Sequence, residues 1–311
     1  MLLALTLLLM PANAQDRGAR GDDAAFEGAE DEYVAPPKDR LYYTNASFGR
    51  INALGLFDTY RLGWRHRLSK SSNMFLQDTY TYIAPEITLT PAYARAGLYG
   101  EAQLLAVLRI FAGINGVQYF GSFDQILSFP NADEAVYSDQ AIDELGAAGE
   151  NAPRSGWAFL GGFTVRAAAG PVAIRSTGYL QHYSLALPEG DVAFYDQFWD
   201  RLAPNNGFMW LQDTDVIVLA GKARIGARHS FTDNMDGSGG DGGLAHHRVG
   251  PLLAFQFKDE KPGAKFNQPT AFLLAQWWLQ HPYRAGTEQP QGMPLIAFGF
   301  AFNGDYAMSK N

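Results

Sequence analysis

The sequence predicts an all-β fold, a closed antiparallel transmembrane β-barrel of about 12 strands, with about 10 strands as the next choice. Apolar and polar residues alternate in segments of about ten to fifteen residues. After residue 14 no apolar run approaches the roughly 18 residues that a membrane-spanning helix requires. The chain has 33 glycines, 14% aromatic residues and only 18% charged residues, a composition that favours many strands joined by tight turns.

The N-terminal 40 residues are expected to lie outside the folded barrel. Residues 1–14 have the form of a secretory signal peptide, with an apolar run to Met10 and the small-x-small site Ala12-Asn13-Ala14. This run is too short to span a bilayer, so we expect cleavage after Ala14 and export. Residues 15–40 are acidic and lack periodic apolar positions, which predicts a flexible N-terminal segment. Residues 41–311 then form the barrel domain.

Charge and cysteine content exclude several classes of function. The net charge of -8 and pI near 5.2 give no reason to expect nucleic acid as a partner. The absence of cysteine excludes disulfides, thiolate ligands and a lipid-modified cysteine. The glycine-rich stretch TDNMDGSGGDGGLAHH lacks the spacing of a known calcium loop, so it is interpreted as an extracellular loop. We predict no cofactor and no metal site.

The segment GLFDTYRLGWRHRL, residues 55–68, illustrates the alternation. Tyr60 and Trp64 fall on one face, and Arg61 and Arg65 fall on the other. We expect the aromatic face to contact lipid and the arginines to point into the lumen. Across all segments, the predicted lumen-lining residues are Arg61, Arg65, Glu101, Arg109, Arg166, Arg175, Lys222, Arg224 and Arg248. The predicted aromatic girdles at the membrane interfaces consist of Tyr60, Trp64, Trp157, Trp277, Trp278 and Phe302.

The connections between the predicted strands differ in length. Several strands are joined by a few residues, whereas the long connections are 121–155, 186–213, 229–245 and 282–292. Short turns at one rim and long loops at the other are typical of an outer-membrane barrel. A soluble periplasmic β protein also alternates, with its apolar face turned inward. Bulky aromatics near strand ends, and polar faces of Gly, Thr, Gln and Arg, favour the membrane interpretation.

On these features the chain resembles Gram-negative outer-membrane β-barrel proteins. The resemblance covers residues 41 to about 306, concerns architecture and identifies no particular family. It implies a location in the bacterial outer membrane, with outer-membrane lipid and the outer-membrane assembly machinery as partners. Such proteins usually end in a strand whose last residue is Phe or Trp. Here Phe302 is followed by NGDYAMSKN, so either the assembly signal is displaced or the last strand extends to Tyr306.

We predict a non-enzymatic role in the cell envelope, as a narrow pore or a structural barrel, and basic residues concentrate on the polar strand faces. A narrow pore with an Arg-lined lumen would favour small anionic solutes as partners. If the same arginines pair with Glu101, loop carboxylates and tyrosines, they instead fill the interior of a structural barrel.

Two alternatives remain open. One is a soluble periplasmic all-β binding protein. The other is an outer-membrane lipid hydrolase using His182 and Ser184, which are two positions apart on one strand face. The outer-membrane phospholipase family is similar in its His-x-Ser pair, but Asn-Gly follows its Ser and Leu185-Ala186 follow here. A third group to orient the histidine cannot be located, so we predict no catalytic residues.

Overall fold

The computed structural model describes residues 35–122, 126–235, 244–285 and 293–309. It contains a closed antiparallel barrel of twelve strands, in which the first strand pairs with the last. The prediction of a closed barrel of about twelve strands is confirmed. The barrel strands are β1 (Asp39–Ile51), β2 (Gly55–Arg67), β3 (Tyr80–Leu89), β4 (Tyr93–Leu105), β5 (Leu108–Tyr119), β7 (Arg154–Ala169), β8 (Val172–Leu185), β11 (Phe208–Ala220), β12 (Ala223–Asn234), β13 (His246–Gln256), β14 (Asn267–Gln280) and β15 (Leu295–Met308).

The ends of the barrel differ slightly from the prediction. The first strand begins at Asp39, two positions before residue 41. The predicted signal peptide and most of the acidic segment lie outside the described residues. The last strand passes Phe302 and continues through Tyr306 to Met308, which agrees with the second of the two expectations for the C-terminus.

Two of the segments that alternate in the sequence each contain a hairpin. The segment 101–115 turns at Ala106-Val107, between β4 and β5, and the segment 215–228 turns at Gly221-Lys222, between β11 and β12. Gly221 has a φ of 59°, a left-handed conformation that glycine adopts at little cost in a tight turn. Read as one continuous strand, the segment 215–228 would place Ile217 on the same face as Ile225, but the second hairpin turns Ile217 inward, where it is buried, and leaves Ile225 exposed.

The three longest connections, 120–153, 186–207 and 281–294, share one rim, as predicted, but that rim also carries short turns. This upper rim carries the connections 52–54, 90–92, 120–153, 186–207, 235–245 and 281–294. The lower rim carries the two-residue turns 106–107, 170–171 and 221–222, the longer connections 68–79 and 257–266, and both described chain ends.

The outer face of the barrel is apolar. Ile83 and Leu98, for example, expose 61% and 56% of their surface, whereas the alternate positions of the same strands point inward. This orientation is the reverse of a water-soluble β protein, in which the apolar face is buried. A closed barrel also pairs all of its strand edges, which is the condition for a sheet to lie in lipid. No helix among the described residues is long and apolar enough to cross a membrane.

Polar side chains that interrupt this outer face bond to one another. The Nδ2 of Asn45 donates to Oδ1 of Asp58 at 3.0 Å. On the other side of the barrel, the hydroxyl of Ser176 accepts from Nε2 of Gln212 at 3.0 Å and lies 3.0 Å from the hydroxyl of Thr214. These bonds reduce the cost of polar groups that face an apolar solvent.

Most of the predicted girdle residues point outward. Trp157 and Trp277 lie on outward positions near the upper rim, and Trp64 and Phe302 lie on outward positions near the lower rim. The hydroxyl of Tyr60, also outward, lies 3.5 Å from that of Tyr306.

Trp278 is the exception among the girdle residues. It is only 9% exposed and points into the lumen, where its ring lies 4.6 Å from the guanidinium carbon of Arg248. Trp277 and Trp278 are consecutive in β14, and consecutive strand residues face opposite sides, so only one of them can contact lipid.

Candidate functional site

Two upper-rim connections fold together into a small unit that we call the cap. It contains β6 (Ser128–Phe129), β9 (Ala193–Asp196) and β10 (Arg201–Pro204), paired in the order β10-β9-β6, and helix α1 (Asp139–Ala147). The hydroxyl of Ser138 accepts a hydrogen bond from the amide of Ala141 and so caps the start of the helix. The cap has its own small core, formed by Leu127, Ala135, Tyr137, Ile142, Tyr195 and Leu202.

The cap fills the mouth of the barrel because it contacts inward-facing residues on different sides of the wall. Arg201 of β10 is fully buried, and its Nη1 donates to the carbonyl oxygen of Thr232 in β12 at 2.7 Å. Tyr183 of β8 donates its hydroxyl to Oδ2 of Asp196 at 2.7 Å. The cap is therefore attached to the wall rather than lying free above it.

Arg50 of β1 binds the tip of the cap, which is the turn 197–200 between β9 and β10. Its Nη1 and Nη2 donate to the carbonyl oxygens of Phe198 and Gln197 at 2.6 and 2.7 Å, and its Nε donates to that of Ala53 at 2.9 Å. Its guanidinium carbon lies 5.6 Å from the ring centroids of Phe57 and Phe198. Arg50 is buried, and it forms no ion pair with any carboxylate of the described ranges.

Arg284 joins the cap to two further segments of the upper rim, and we call Arg284, Asp200 and Asp139 the latch. Nη2 donates to Oδ1 of Asp200 at 3.1 Å, and Nε donates to the other oxygen. The guanidinium also contacts Asp139 at the start of α1, at 2.8 and 3.1 Å, and Oδ1 of Asn52 at 2.9 Å. One side chain therefore connects the β9–β10 turn, the helix and the 52–54 turn.

Asp200 and Arg284 of the latch are charged at neutral pH, and the adjacent His281 is not. Burial alone would raise the pKa of Asp200, but Arg284 and His281 bring that pKa below its usual range. Burial opposes the charge of Arg284, but Asp200 raises its pKa. Burial lowers the pKa of His281 to about 4, against the opposing effect of Asp200. An ionised Asp200, a charged Arg284 and a neutral His281 therefore coexist in a buried cluster.

This cluster predicts that acid loosens the cap. His281 has a folded pKa near 4 against an ordinary value of 6.5, so the closed state disfavours its protonation. The closed state should lose stability as pH falls from about 6.5 to 4, by on the order of 3 kcal/mol. Arg284, Arg248 and His246 also face this ring and add to the repulsion once it is charged. The protection factors of the amides in residues 193–204, corrected for the intrinsic exchange rate at each pH, should be lower at pH 5 than at pH 7.

Two variants check that His281 is the titrating group. His281→Gln should remove most of this pH dependence, since glutamine does not titrate. His66→Gln, which changes a histidine at the lower rim, should keep it. Equal protection factors at both pH values in the unmodified protein would contradict the prediction.

Below the cap, arginines of the wall pair with carboxylates on neighbouring strands. Arg61 of β2 forms an ion pair with Glu86, the residue directly opposite on β3. Asp215 of β11 lies between Arg175 of β8 and Arg228 of β12, which are its direct cross-strand neighbours. Nε of Arg228 donates to Oδ1 of Asp215 at 2.7 Å. These ion pairs run along the wall of the barrel and not across its lumen.

A second network in the wall of the barrel joins Glu101 to Arg109 and to two tyrosines. Glu101 accepts from Nη1 of Arg109 at 3.1 Å and from the hydroxyls of Tyr80 and Tyr99 at 2.8 and 2.6 Å. The guanidinium carbon of Arg65 lies 3.6 Å from the ring centroid of Tyr80. This is the pairing of lumen arginines with Glu101 and tyrosines that the sequence left open as the alternative to a basic pore.

Most of the predicted lumen-lining residues point inward. These are Arg61, Arg65, Glu101, Arg109, Arg166, Arg175, Arg224 and Arg248. Lys222 differs, because it lies exposed in the 221–222 turn at the lower rim, where its Nζ donates to the carbonyl oxygen of Phe257 at 3.2 Å. The cause is the hairpin at this position, which the sequence pattern presents as one continuous strand.

Three arginines under the cap have no carboxylate partner among the described residues: Arg50, Arg95 and Arg248. All three lie near the upper ends of their strands. Nη2 of Arg95 donates to the hydroxyls of Tyr183 and Tyr119 at 3.2 and 3.4 Å. A cavity of about 60 Å³ remains beside Arg61, Arg95 and the cap tip, which is too small for an open pore in this conformation.

The sequence did not identify the residues that hold the cap. Arg50 lies in a predicted strand two positions after inward-facing Phe48, so alternation could have placed it in the lumen. Arg201, Asp200 and Arg284 lie in long connections, where no periodic pattern indicates which residues turn inward.

His182 and Ser184 lie on one face of β8, as the sequence predicted, and this face is the outward one, but they do not form a catalytic pair. Nδ1 of His182 lies 2.8 Å from the carbonyl oxygen of Gly207, and its ring packs against Phe208. No hydrogen bond joins His182 to Ser184 within the described part of the chain, and no carboxylate orients the ring. A Ser–His hydrolase requires both contacts.

No family model matches the chain, and no curated protein sequence matches it. Among solved structures, it is similar to the translocator domain of autotransporter NalP from Neisseria meningitidis, with 9% identity, 86% of this chain and 87% of that chain covered, and a TM-score of 0.38. The chain is also similar to the TodX monoaromatic hydrocarbon channel deltaS2 mutant, with 7% identity, 86% of this chain and 89% of that chain covered, and a TM-score of 0.30. For Pseudomonas aeruginosa OprD the identity is 9%, the coverage is 92% of this chain and 100% of that chain, and the TM-score is 0.27. Scores this low carry no information about function or residue roles.

Proposed function

We propose that the protein is a non-enzymatic barrel of the bacterial outer membrane that forms a narrow passage for small anionic solutes, closed at rest by the cap. The apolar outer face and the outward aromatics near both rims support the location. Both described chain ends lie at the lower rim with the two-residue turns, which is the periplasmic side in barrels of this kind. The cap would then face the outside of the cell.

One observation carries the proposal of a passage. The ion pairs of the wall join neighbouring strands, such as Arg61 with Glu86 and Arg175 with Asp215, whereas the cap bonds to β1, β8 and β12 on different sides of the mouth. Lifting the cap would therefore leave the charge pairs of the wall intact. A loop that can move within a rigid barrel is the arrangement expected of a gated passage.

The preference for anions is argued from the charges that the cap covers. Arg50, Arg95 and Arg248 have carbonyls, hydroxyls or an aromatic ring as partners in place of carboxylates. With the cap displaced, these three guanidinium groups would line the upper lumen. Rings of arginine favour anions in a constriction.

Removing the cap tests the passage. In a variant whose residues 190–204 are replaced by a short Gly-Ser linker, β9, β10 and the turn between them are removed while β6 and α1 remain. For this variant, called cap-deleted below, we expect steady small currents in planar bilayers, while the unmodified protein stays mostly closed. The reversal potential in a salt gradient should indicate a preference for anions. Heat-modifiable gel mobility verifies that the variant has folded as a barrel.

A second pair of variants tests the anion preference. In the cap-deleted protein, Arg50→Gln combined with Arg95→Gln should reduce the preference, and Lys222→Gln at the exposed lower-rim turn should not. A folded cap-deleted barrel that passes no current would contradict the passage and leave a structural role.

A further inference from the structure

An apolar notch opens in the upper rim beside the cap. It arises because β2 begins at Gly55, whereas its ladder with β3 begins only at Asp58, opposite Leu89. The notch has a volume of about 220 Å³. Its walls include Leu56, Phe57, Ala92, Tyr93 and Phe198.

The notch is accessible from the lipid side of the rim. Leu54, at its edge, is 69% exposed, and Leu56 points outward from β2. No charged side chain lines it within the described ranges; its polar side chains are those of Thr90, Tyr93 and Gln197. An apolar cavity of roughly 150 Å³ holds benzene, so this volume accommodates one ring with a substituent.

A buried cation lies directly behind the inner wall of the notch. Phe57 and Phe198 form that wall, and the guanidinium carbon of Arg50 lies 5.6 Å from the centroid of each ring. The three acceptors of Arg50 are neutral carbonyl oxygens, and two of them belong to the cap residues Gln197 and Phe198. A carboxylate binds a guanidinium group more strongly than a neutral carbonyl does.

We propose that the notch binds small amphipathic monocarboxylates. The apolar body of the ligand lies against Leu56, Tyr93 and Phe198. Its carboxylate accepts the hydrogen bonds that Arg50 otherwise donates to the carbonyl oxygens of Gln197 and Phe198. Binding thereby releases the tip of the cap. The release step rests on the proposed function, whereas binding in the notch does not.

The probe is 4-bromobenzoate, added to crystals of the complete chain. The anomalous signal of bromine should place the ring in the notch, with the carboxylate toward Arg50. Titration calorimetry in nanodiscs, corrected with empty nanodiscs, should give an affinity about tenfold or more above that of the uncharged analogue 4-bromobenzamide. This comparison separates the charge on the ligand from its apolar surface.

Matched variants separate the two halves of the site. Arg50→Gln should lower the affinity for 4-bromobenzoate to that for the amide, whereas Arg154→Gln, at the same rim, should leave it unchanged. Ala92→Phe should fill the notch and weaken both ligands, whereas Ala96→Phe, on the lipid-facing side of β4, should weaken neither. Heat-modifiable gel mobility verifies folding of each variant, and Arg50→Lys keeps the charge if Arg50→Gln does not fold.

Equal affinities for the benzoate and the benzamide, or no effect of Arg50→Gln, would overturn the proposal. So would a lipid or detergent chain that remains in the notch at saturating 4-bromobenzoate. Failure of the passage is distinguishable from these outcomes. Current through the cap-deleted barrel, together with an empty notch in the complete chain, rejects only the notch. Binding in the notch of the complete chain, together with no current through the cap-deleted barrel, rejects only the passage.

Discussion

An Arg284→Ala variant should hold its cap open far more often than the unmodified protein does. Asp200 is 1% exposed, and without Arg284 the side-chain partners left to its negative charge among the described residues would be Tyr195 and His281. Removing one partner of a buried ion pair costs about 3 to 5 kcal/mol, because the other charge stays uncompensated. The closed state bears this cost and an open, hydrated state does not. We therefore expect higher bilayer currents and faster hydrogen exchange in residues 193–204.

Two comparisons isolate the latch from a general loss of stability. Arg154→Ala removes another arginine at the upper rim, one that forms no ion pair with a described residue, and should leave the current unchanged. The double variant Arg284→Ala with Asp200→Asn should recover part of the closed state, since it removes the uncompensated charge together with its partner. If Arg284→Ala matches the unmodified protein in both current and exchange, the latch does not hold the cap.

The inside and outside of the wall could be predicted from the sequence because side-chain direction in a strand repeats every two residues. In β2, alternation alone put Trp64 toward lipid and Arg61 toward the lumen, and the structure has the same arrangement. The rule failed where one segment contained two strands. The turn at Ala106-Val107 has no glycine, proline or asparagine to mark it, so no local signal separated β4 from β5.

To predict which side chains pair within the lumen, the register between neighbouring strands must be known, and the sequence did not provide it. Arg61 and Glu86 meet because the 68–79 connection and the ladder of β2 with β3 bring them opposite each other. The latch was even harder to predict, since Arg284 contacts Asp200 and Asp139 across 84 and 145 positions of sequence. Residue types in the long connections gave no indication that these segments turn into the barrel.

The wall network predicts a second large effect, at Asp215. This carboxylate is 1% exposed, and it accepts from Nε of Arg175 at 2.9 Å and from Nε and Nη2 of Arg228 at 2.7 and 3.0 Å. Asparagine at this position could accept hydrogen bonds, but it would leave two adjacent guanidinium groups without their shared counter-charge. We expect Asp215→Asn to lower the free energy of unfolding by about 3 to 5 kcal/mol, measured by urea titration in lipid vesicles.

Asp213→Asn is the matched comparison, because Asp213 also contacts Arg228 but at 3.6 Å and with 13% of its side chain exposed. Greater exposure and a longer contact should make the loss of stability for Asp213→Asn smaller than that for Asp215→Asn. Asp215→Asn combined with Arg175→Gln should regain much of the stability, since the double variant removes one of the two guanidinium groups that lack a counter-charge. Equal losses for Asp213→Asn and Asp215→Asn would contradict the central role of Asp215. In the cap-deleted protein, Asp215→Asn should also increase the anion preference of the current, because it removes a negative charge from the wall that the solute passes.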